Sequence, residues 1–300
     1  KKKKKEYQIS KSKTFRVCEQ NGEIEEKMAL TSWYMDERMD LEAQPLEIHY
    51  KKPLHGSLQK KKTDSEIYGF EIMGSNRSTS EALLLKCTLA VLEDLGYKNL
   101  YVDINSIGDK ESINRFEREL NAHYRKFSHT LSAKQKQEFK KNHYSLLKNQ
   151  GPETKDFLEN APQSVGSLSE LGRVHFKEVL ECIESFDVMY KIRPNIFSNK
   201  LYASYTVFEI REGNDSGTEG ELLASGYRYN HLAKKIGGKK DIPTIGVTLF
   251  VKKNPSLVKK IIIKKIKKPR FYLVQLGSTA KLKALNIVGM LRKQKIPVYH

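Results

Sequence analysis

Three hundred residues with 38% hydrophobic content can bury one large core or two smaller ones, which excludes a chain disordered throughout. Lysine plus arginine number 54 against 36 aspartate plus glutamate; the net charge of +18 favours nucleic acid or an anionic surface as partner, although a solvated lysine-rich face has the same sign. The three cysteines, Cys18, Cys87 and Cys182, form no CxxC pair, which argues against a disulfide framework and a zinc site, and no apolar run approaches the roughly 18 residues of a membrane span.

The opening lysines have no apolar stretch behind them, so residues 1–13 read as a solvated basic tail and not as a signal peptide. Ordered structure is expected from Thr14, where short alternating segments such as TFRVCEQ lead into a short helix over ALTSWYMDERM, with Leu30, Trp33, Tyr34 and Met35 as its apolar positions. LEIHYKKPL and EIYGFEIMG read as strands of an antiparallel hairpin, joined by the polar loop HGSLQKKKTDS. A helix follows Gly74, capped by serines and stopped at Gly96, and leads directly to the strand NLYVDINSIG.

Helices are expected over Ser112 to Lys126, Ala133 to Asn149 and Leu168 to Phe186, with Gly151 and Pro152 as the break between the last two. TVFEIRE, ELLASGYRY and TIGVTLFV then read as strands. The pattern gives an α+β class: an antiparallel sheet flanked by helices, with no alternating βαβ order through the main body. Residues 252–269, nearly all lysine and isoleucine with two prolines, read as a basic linker; from residue 270, strand, helix and strand open a parallel α/β piece.

The eight histidines lack HxH or HxxxH pairing with acidic neighbours, so no metal is expected. No GxxxxGK(S/T) phosphate loop occurs, and Ser106 lacks a GxSxG context. Two lysine clusters could follow a phosphate backbone: Lys51 and Lys52 with Lys60, Lys61 and Lys62, and the run from Lys252 to Lys268. Neither carries the interleaved aromatic residues of a base-stacking platform.

Several stretches, in order and at matching spacing, resemble histidyl-tRNA synthetases, the class II family that joins histidine to its tRNA. YGFEIMGSNRSTSEALLL is similar to the strand and helix that follow motif two, NLYVDINSIGD to the family's Asn-Ser-(Leu/Ile)-Gly-Asp strand end, and TVFEI with ASGYRYNHLAKKIGG and IPTIGVTLF to the histidine-binding hairpin, its glycine-rich turn and the approach to motif three. FYLVQLGS and its helix resemble the start of the anticodon-binding domain. The resemblance implies a class II synthetase-like core over residues 14–251 and the start of an anticodon-binding-like domain over 270–300. The family's motif one, which builds its dimer interface, is expected before Thr14 and has no counterpart in this sequence, so a homodimer is expected only if that motif lies outside it.

The same resemblance locates losses. Adenylate formation requires arginines and magnesium at the α-phosphate of ATP. By motif position, Gly56 stands at the motif-two arginine, Leu58 at its glutamate, Ser198 at the arginine of the histidine-specific motif, Lys253 at the motif-three arginine and Phe250 at the glycine against which adenine stacks. No catalytic residue is therefore expected to survive. Of the amino-acid pocket, Glu71, Tyr202 and Gly226 are retained, Ile67 replaces a glutamine, and Ser225-Gly226-Tyr227 replaces three glycines, with Tyr227 narrowing the space.

The expectation is a catalytically silent histidyl-tRNA synthetase-like protein, with tRNA, another RNA or a protein as partner, in the cytoplasm or another reducing compartment, needing no cofactor. Two alternatives stand beside it: a divergent but active histidine-tRNA ligase using ATP and magnesium, and a regulatory subunit like that of ATP phosphoribosyltransferase.

Overall fold

A computed structural model describes residues 23–53, 65–148, 151–186, 188–198, 202–213, 220–252 and parts of 271–299. The basic tail, the TFRVCEQ segment, the loop at 54–64 and the basic linker lie outside the described residues.

The elements in chain order are α1 (Glu23–Asp36), β1 (Leu46–Pro53), β2 (Ser65–Met73), α2 (Ser78–Asp94), β3 (Leu100–Gly108), α3 (Lys110–Phe127), α4 (Ala133–Lys141), α5 (Ser145–Lys148), α6 (Lys155–Glu159), α7 (Glu170–Glu184), β4 (Tyr190–Ile192), β5 (Ser204–Glu212), β6 (Glu221–Arg228), α8 (Leu232–Lys235), β7 (Thr244–Lys252), β8 (Phe271–Tyr272) and β9 (Val298–Tyr299). Seven strands form one sheet in the order β1-β2-β7-β6-β5-β3-β4. Every pair is antiparallel except β3 with β4 at the edge. TVFEI and TIGVTLF therefore share a sheet, linked through β6, and β8 pairs parallel with β9 in a separate two-stranded sheet.

Side chains alternate across a strand, so each strand contributes to two different faces. One face is hydrocarbon: Ile72 of β2, Ile245, Val247 and Leu249 of β7, Phe208 and Ile210 of β5, and Val102 and Ile104 of β3. Helices α2 and α7 cover it, because Leu85, Leu89 and Leu92 on one and Phe176, Val179 and Ile183 on the other recur at helical spacing and meet that layer. The opposite face is mixed. Over its β3-β5-β6 part lies a second core, in which Phe116 of α3 stacks on Phe197 with ring centroids 5.7 Å apart and Tyr144 packs beside both.

Two expected helices have different bounds. The first begins at Glu23, well before the apolar positions that identified it, and ends as Arg38 turns to φ 52°. The expected helix over Ala133 to Asn149 is two helices, because Asn142 takes an extended conformation and its side chain accepts a hydrogen bond from the Tyr144 N–H at 3.0 Å, diverting the chain before α5.

Asp109, directly after β3, ties the starts of α3 and α7 together. Its Oδ1 accepts from the Ser112 N–H at 2.9 Å and the Ser112 hydroxyl at 2.7 Å, capping α3, while Oδ2 accepts from the hydroxyl of Ser169, itself the N-cap of α7, at 2.7 Å. Burial alone would raise the Asp109 carboxyl; these hydrogen bonds outweigh it and hold it below its usual range. Asp109→Ala should therefore cost about 1 to 2 kcal/mol, read as a lower urea midpoint at unchanged m. An effect below a few tenths would mean that the two caps are independent of Asp109.

Candidate functional site

The mixed face holds a closed cage. Glu71 projects from near the end of β2 and is fully buried; its Oε1 accepts from the Lys27 ammonium at 2.9 Å and from the Tyr50 hydroxyl at 3.4 Å, and its Oε2 from the Tyr229 hydroxyl at 2.8 Å. The Lys27 side chain is 0% exposed. Its nitrogen lies 5.0 Å from the centre of the Tyr227 ring and 4.9 Å from that of Tyr229, within cation-π range of both. Gly246, opposite Glu71 on β7, makes room for the carboxylate, since a Cβ there would fall inside it.

Burial pushes the Glu71 carboxyl above its ordinary range, against the pull of the Lys27 ammonium and the two phenols. Tyr229 is raised well above an ordinary phenol, first by burial and then by the adjacent carboxylate, so it stays a hydrogen-bond donor. An internal cation thus sits where the sheet presents an acid and two ring faces. Helix α1 brings it there, with Tyr34 buried farther along and its hydroxyl 3.2 Å from the Gln44 amide oxygen.

The face continues along β2 and β7. The Tyr50 ring lies over Gly69, whose missing side chain leaves the space it fills. Beyond it Ile67 pairs with the half-buried Phe250, giving an apolar end about 13 Å from the Glu71-Gly246 pair at the usual strand rise. Tyr227 is buried on the cage and Tyr202 packs partly buried beside it, with ring centroids 5.9 Å apart. Gly226, between Ser225 and Tyr227, turns its bare side to the opposite face, against the Phe208 ring in the hydrocarbon core. Its glycine serves packing there; its neighbour Tyr227 faces the cage. Ser198 is half-buried directly after the core residue Phe197.

Lys51 is exposed with its ammonium 5.5 Å from the Tyr68 ring, and Lys52 pairs with Ile67 in the strand register. Gly56, Leu58, Lys60, Lys61, Lys62 and Lys253 lie outside the described residues. Sequence reasoning named Glu71 and Tyr227 but missed Lys27, Tyr50 and Tyr229. Nothing in EIEEKMALTSWYM distinguishes a buried lysine from a solvated one, because its partner is 44 positions away.

A second buried ion pair braces the cage from behind. Arg228, at the end of β6, is 0% exposed and grips Glu81 of α2 as a fork: Nε to Oε1 at 2.7 Å and Nη2 to Oε2 at 2.5 Å. Its Nη1 donates to the Ser75 carbonyl at 2.7 Å, and His175 of α7 shares Glu81 Oε1 at 2.7 Å. The pair anchors the end of β6, directly before Tyr229. Nearer the other edge, an open cavity of about 290 Å³ is lined by Asp103, Arg193, Glu209 and Arg211, whose charges pair with one another. Among the described residues no group of three or more histidine, cysteine or acidic side chains could hold a metal, and no helix is long and apolar enough to cross a membrane.

No family model matches the chain. The histidine-tRNA ligase of Halothermothrix orenii is 31% identical over 233 residues, 76% of this chain and 54% of the ligase. That of Thermosynechococcus vestitus is 26% identical over 226 residues, 75% of this chain and 52% of the ligase. The chain thus spans about half the length of these curated relatives. Among solved structures, the apo histidyl-tRNA synthetase of S. aureus superposes with a TM-score of 0.60 at 20% identity, over 90% of this chain and 66% of that one, a likeness of fold. Over three quarters of its length the chain is thus similar in sequence to histidine-tRNA ligases, and its sheet with the two covering helices has the fold of a histidyl-tRNA synthetase.

Proposed function

We propose that the chain is a catalytically silent histidyl-tRNA synthetase-like protein that keeps the fold as a scaffold for binding RNA or a protein partner. The observation that carries the reading is the Lys27-Glu71 ion pair: the acid at the position matching the family's amino-acid pocket already holds a cation, sealed by Tyr227 and Tyr229. A substrate amine would have to expel a buried ammonium to reach Glu71. Phe250 and Ile67, opposite each other at the far end of the same face, add an apolar obstruction where the resemblance puts adenine and a polar contact. The net charge of +18 supports RNA as the partner, bound through phosphates and weakened by salt.

ATP-pyrophosphate exchange driven by histidine tests the silence. With the family's phosphate-binding arginines replaced, each worth on the order of 3 kcal/mol of transition-state stabilisation, exchange should fall by roughly a million-fold and sit at background. The names of the relatives favour the rival reading, a working histidine-tRNA ligase. Robust exchange by the purified chain would establish it and reject the silent one.

A further inference from the structure

We infer that the cage of Glu71, Tyr50, Tyr227 and Tyr229 is a binding site for a primary alkylammonium, and that helix α1 supplies the present occupant, Lys27, as an intramolecular ligand. The inference rests on the silent reading of this same site and adds the ligand class and the means of closure.

The chemistry is set by what surrounds the nitrogen. Glu71 Oε1 accepts one N–H at 2.9 Å, and the Tyr227 and Tyr229 rings offer their electron-rich faces at 5.0 and 4.9 Å. The tyrosine hydroxyls occupy one side of each oxygen, Tyr229 at Oε2 and Tyr50 at Oε1. The cation meets the carboxylate through Oε1 alone, between two rings. A primary ammonium on a slender aliphatic stem satisfies both requirements. A quaternary ammonium has no N–H for Glu71, and a guanidinium fork would need a second free oxygen edge.

The stem enters from α1 and is sealed from solvent, as a ligand tail would be. Because the occupant is tethered, its effective concentration lies in the millimolar range or above, so an external amine should not displace it from the parent chain.

Truncating Lys27 should expose the site. Lys27→Ala removes three methylenes and the ammonium, the skeleton of n-propylammonium. The variant should unfold at lower temperature than the parent, and tens of millimolar n-propylammonium chloride should restore at least half of the lost midpoint, measured against equal potassium chloride. Tetramethylammonium and n-propanol should restore none of it, and the parent should not respond to the amine. Should Lys27→Ala fold only with the amine present, that too supports the site.

The double variant Lys27→Ala with Glu71→Gln removes the stranded carboxylate, so it should fold without help and ignore the amine. A folded Lys27→Ala that gains no more from propylammonium than from potassium overturns the inference. So does a Lys27→Ala that stays unfolded with the amine while the double variant folds. These outcomes are separate from pyrophosphate exchange: exchange by the parent would reject the silent reading whatever the amine does, and a failed rescue removes the ammonium site while leaving background exchange unexplained by it.

Discussion

Arg228→Met should destabilise the chain by about 3 to 5 kcal/mol, the largest loss expected from a single side chain outside the hydrocarbon core. Arg228 and Glu81 are each 0% exposed, so removing the guanidinium leaves a carboxylate in the protein interior with only His175 beside it, and also strips the Ser75 carbonyl of its donor. Replacing both partners, Arg228→Met with Glu81→Met, removes the stranded charge and should recover most of the loss in urea unfolding.

The pH dependence gives an independent reading of the same pair. Burial alone would raise the Glu81 carboxyl, but Arg228 and His175 outweigh it, and its pKa is lowered from 4.5. A group depressed on folding contributes stability that is present above its unfolded value and lost as pH falls through the folded one. The parent should therefore weaken on acidification below about 4.5. In Arg228→Met the burial effect is left without its main counterweight, and the slope should reverse, with the variant gaining stability as Glu81 takes up a proton. A parallel acid response in the two proteins would show that the ion pair does not control the titration.

Gly246→Ala should cost about 3 kcal/mol, although it adds a single methyl group to a strand that otherwise welcomes side chains. The new Cβ falls within the Glu71 carboxylate, and the sheet backbone on either side cannot retreat, so the carboxylate must leave Lys27 or the strands must part. Either response loosens α1, and limited proteolysis should cut between residues 23 and 36 faster than in the parent while the helices on the other face stay protected. Gly226→Ala is the control. Its Cβ meets the Phe208 ring on the hydrocarbon side, so it should lower overall stability without selective cleavage in α1. Equal cleavage in the two variants would mean that α1 is not held by the cage.

The strands and the two covering helices were legible because they follow local periodicity: alternation in EIYGFEIMG, helical spacing in the leucines after Ser80, and Ser169 at the start of α7; the serine cap expected for α2 is not formed, since Arg77 stands at its N-cap and no side chain accepts there. The edge pairing of β3 with β4 was not, since Tyr190 to Ile192 is only three residues of strand and draws its stability from its neighbour. The break after Lys141 hinges on one asparagine choosing its own backbone over the helix, which propensity does not resolve.

At the site, the resemblance pointed to Glu71 and Tyr227, and it was also the source of the expectation that Gly56, Ser198 and Lys253 stand at the family's arginine positions. The closure by Lys27 depends on a contact across 44 residues, and a lysine gives no sign in sequence of whether its end meets water or a carboxylate. Gly226 illustrates the converse. A glycine beside a pocket reads as room for a ligand, yet alternation turned its open side to Phe208.

The cage also bears on how the sheet finds its alignment. A one-residue slip of β2 would carry Glu71 among the leucines of α2 and present Ile72 to the Lys27 ammonium, stranding two charges at once. The slip would also turn the apolar residues of β2 off the hydrocarbon face, a loss that the tyrosine-lined face could partly absorb. The acid and the ammonium allow no such accommodation, so a pair that closes the pocket in the finished molecule also acts, while the chain is still assembling, as a proofreading device for strand alignment.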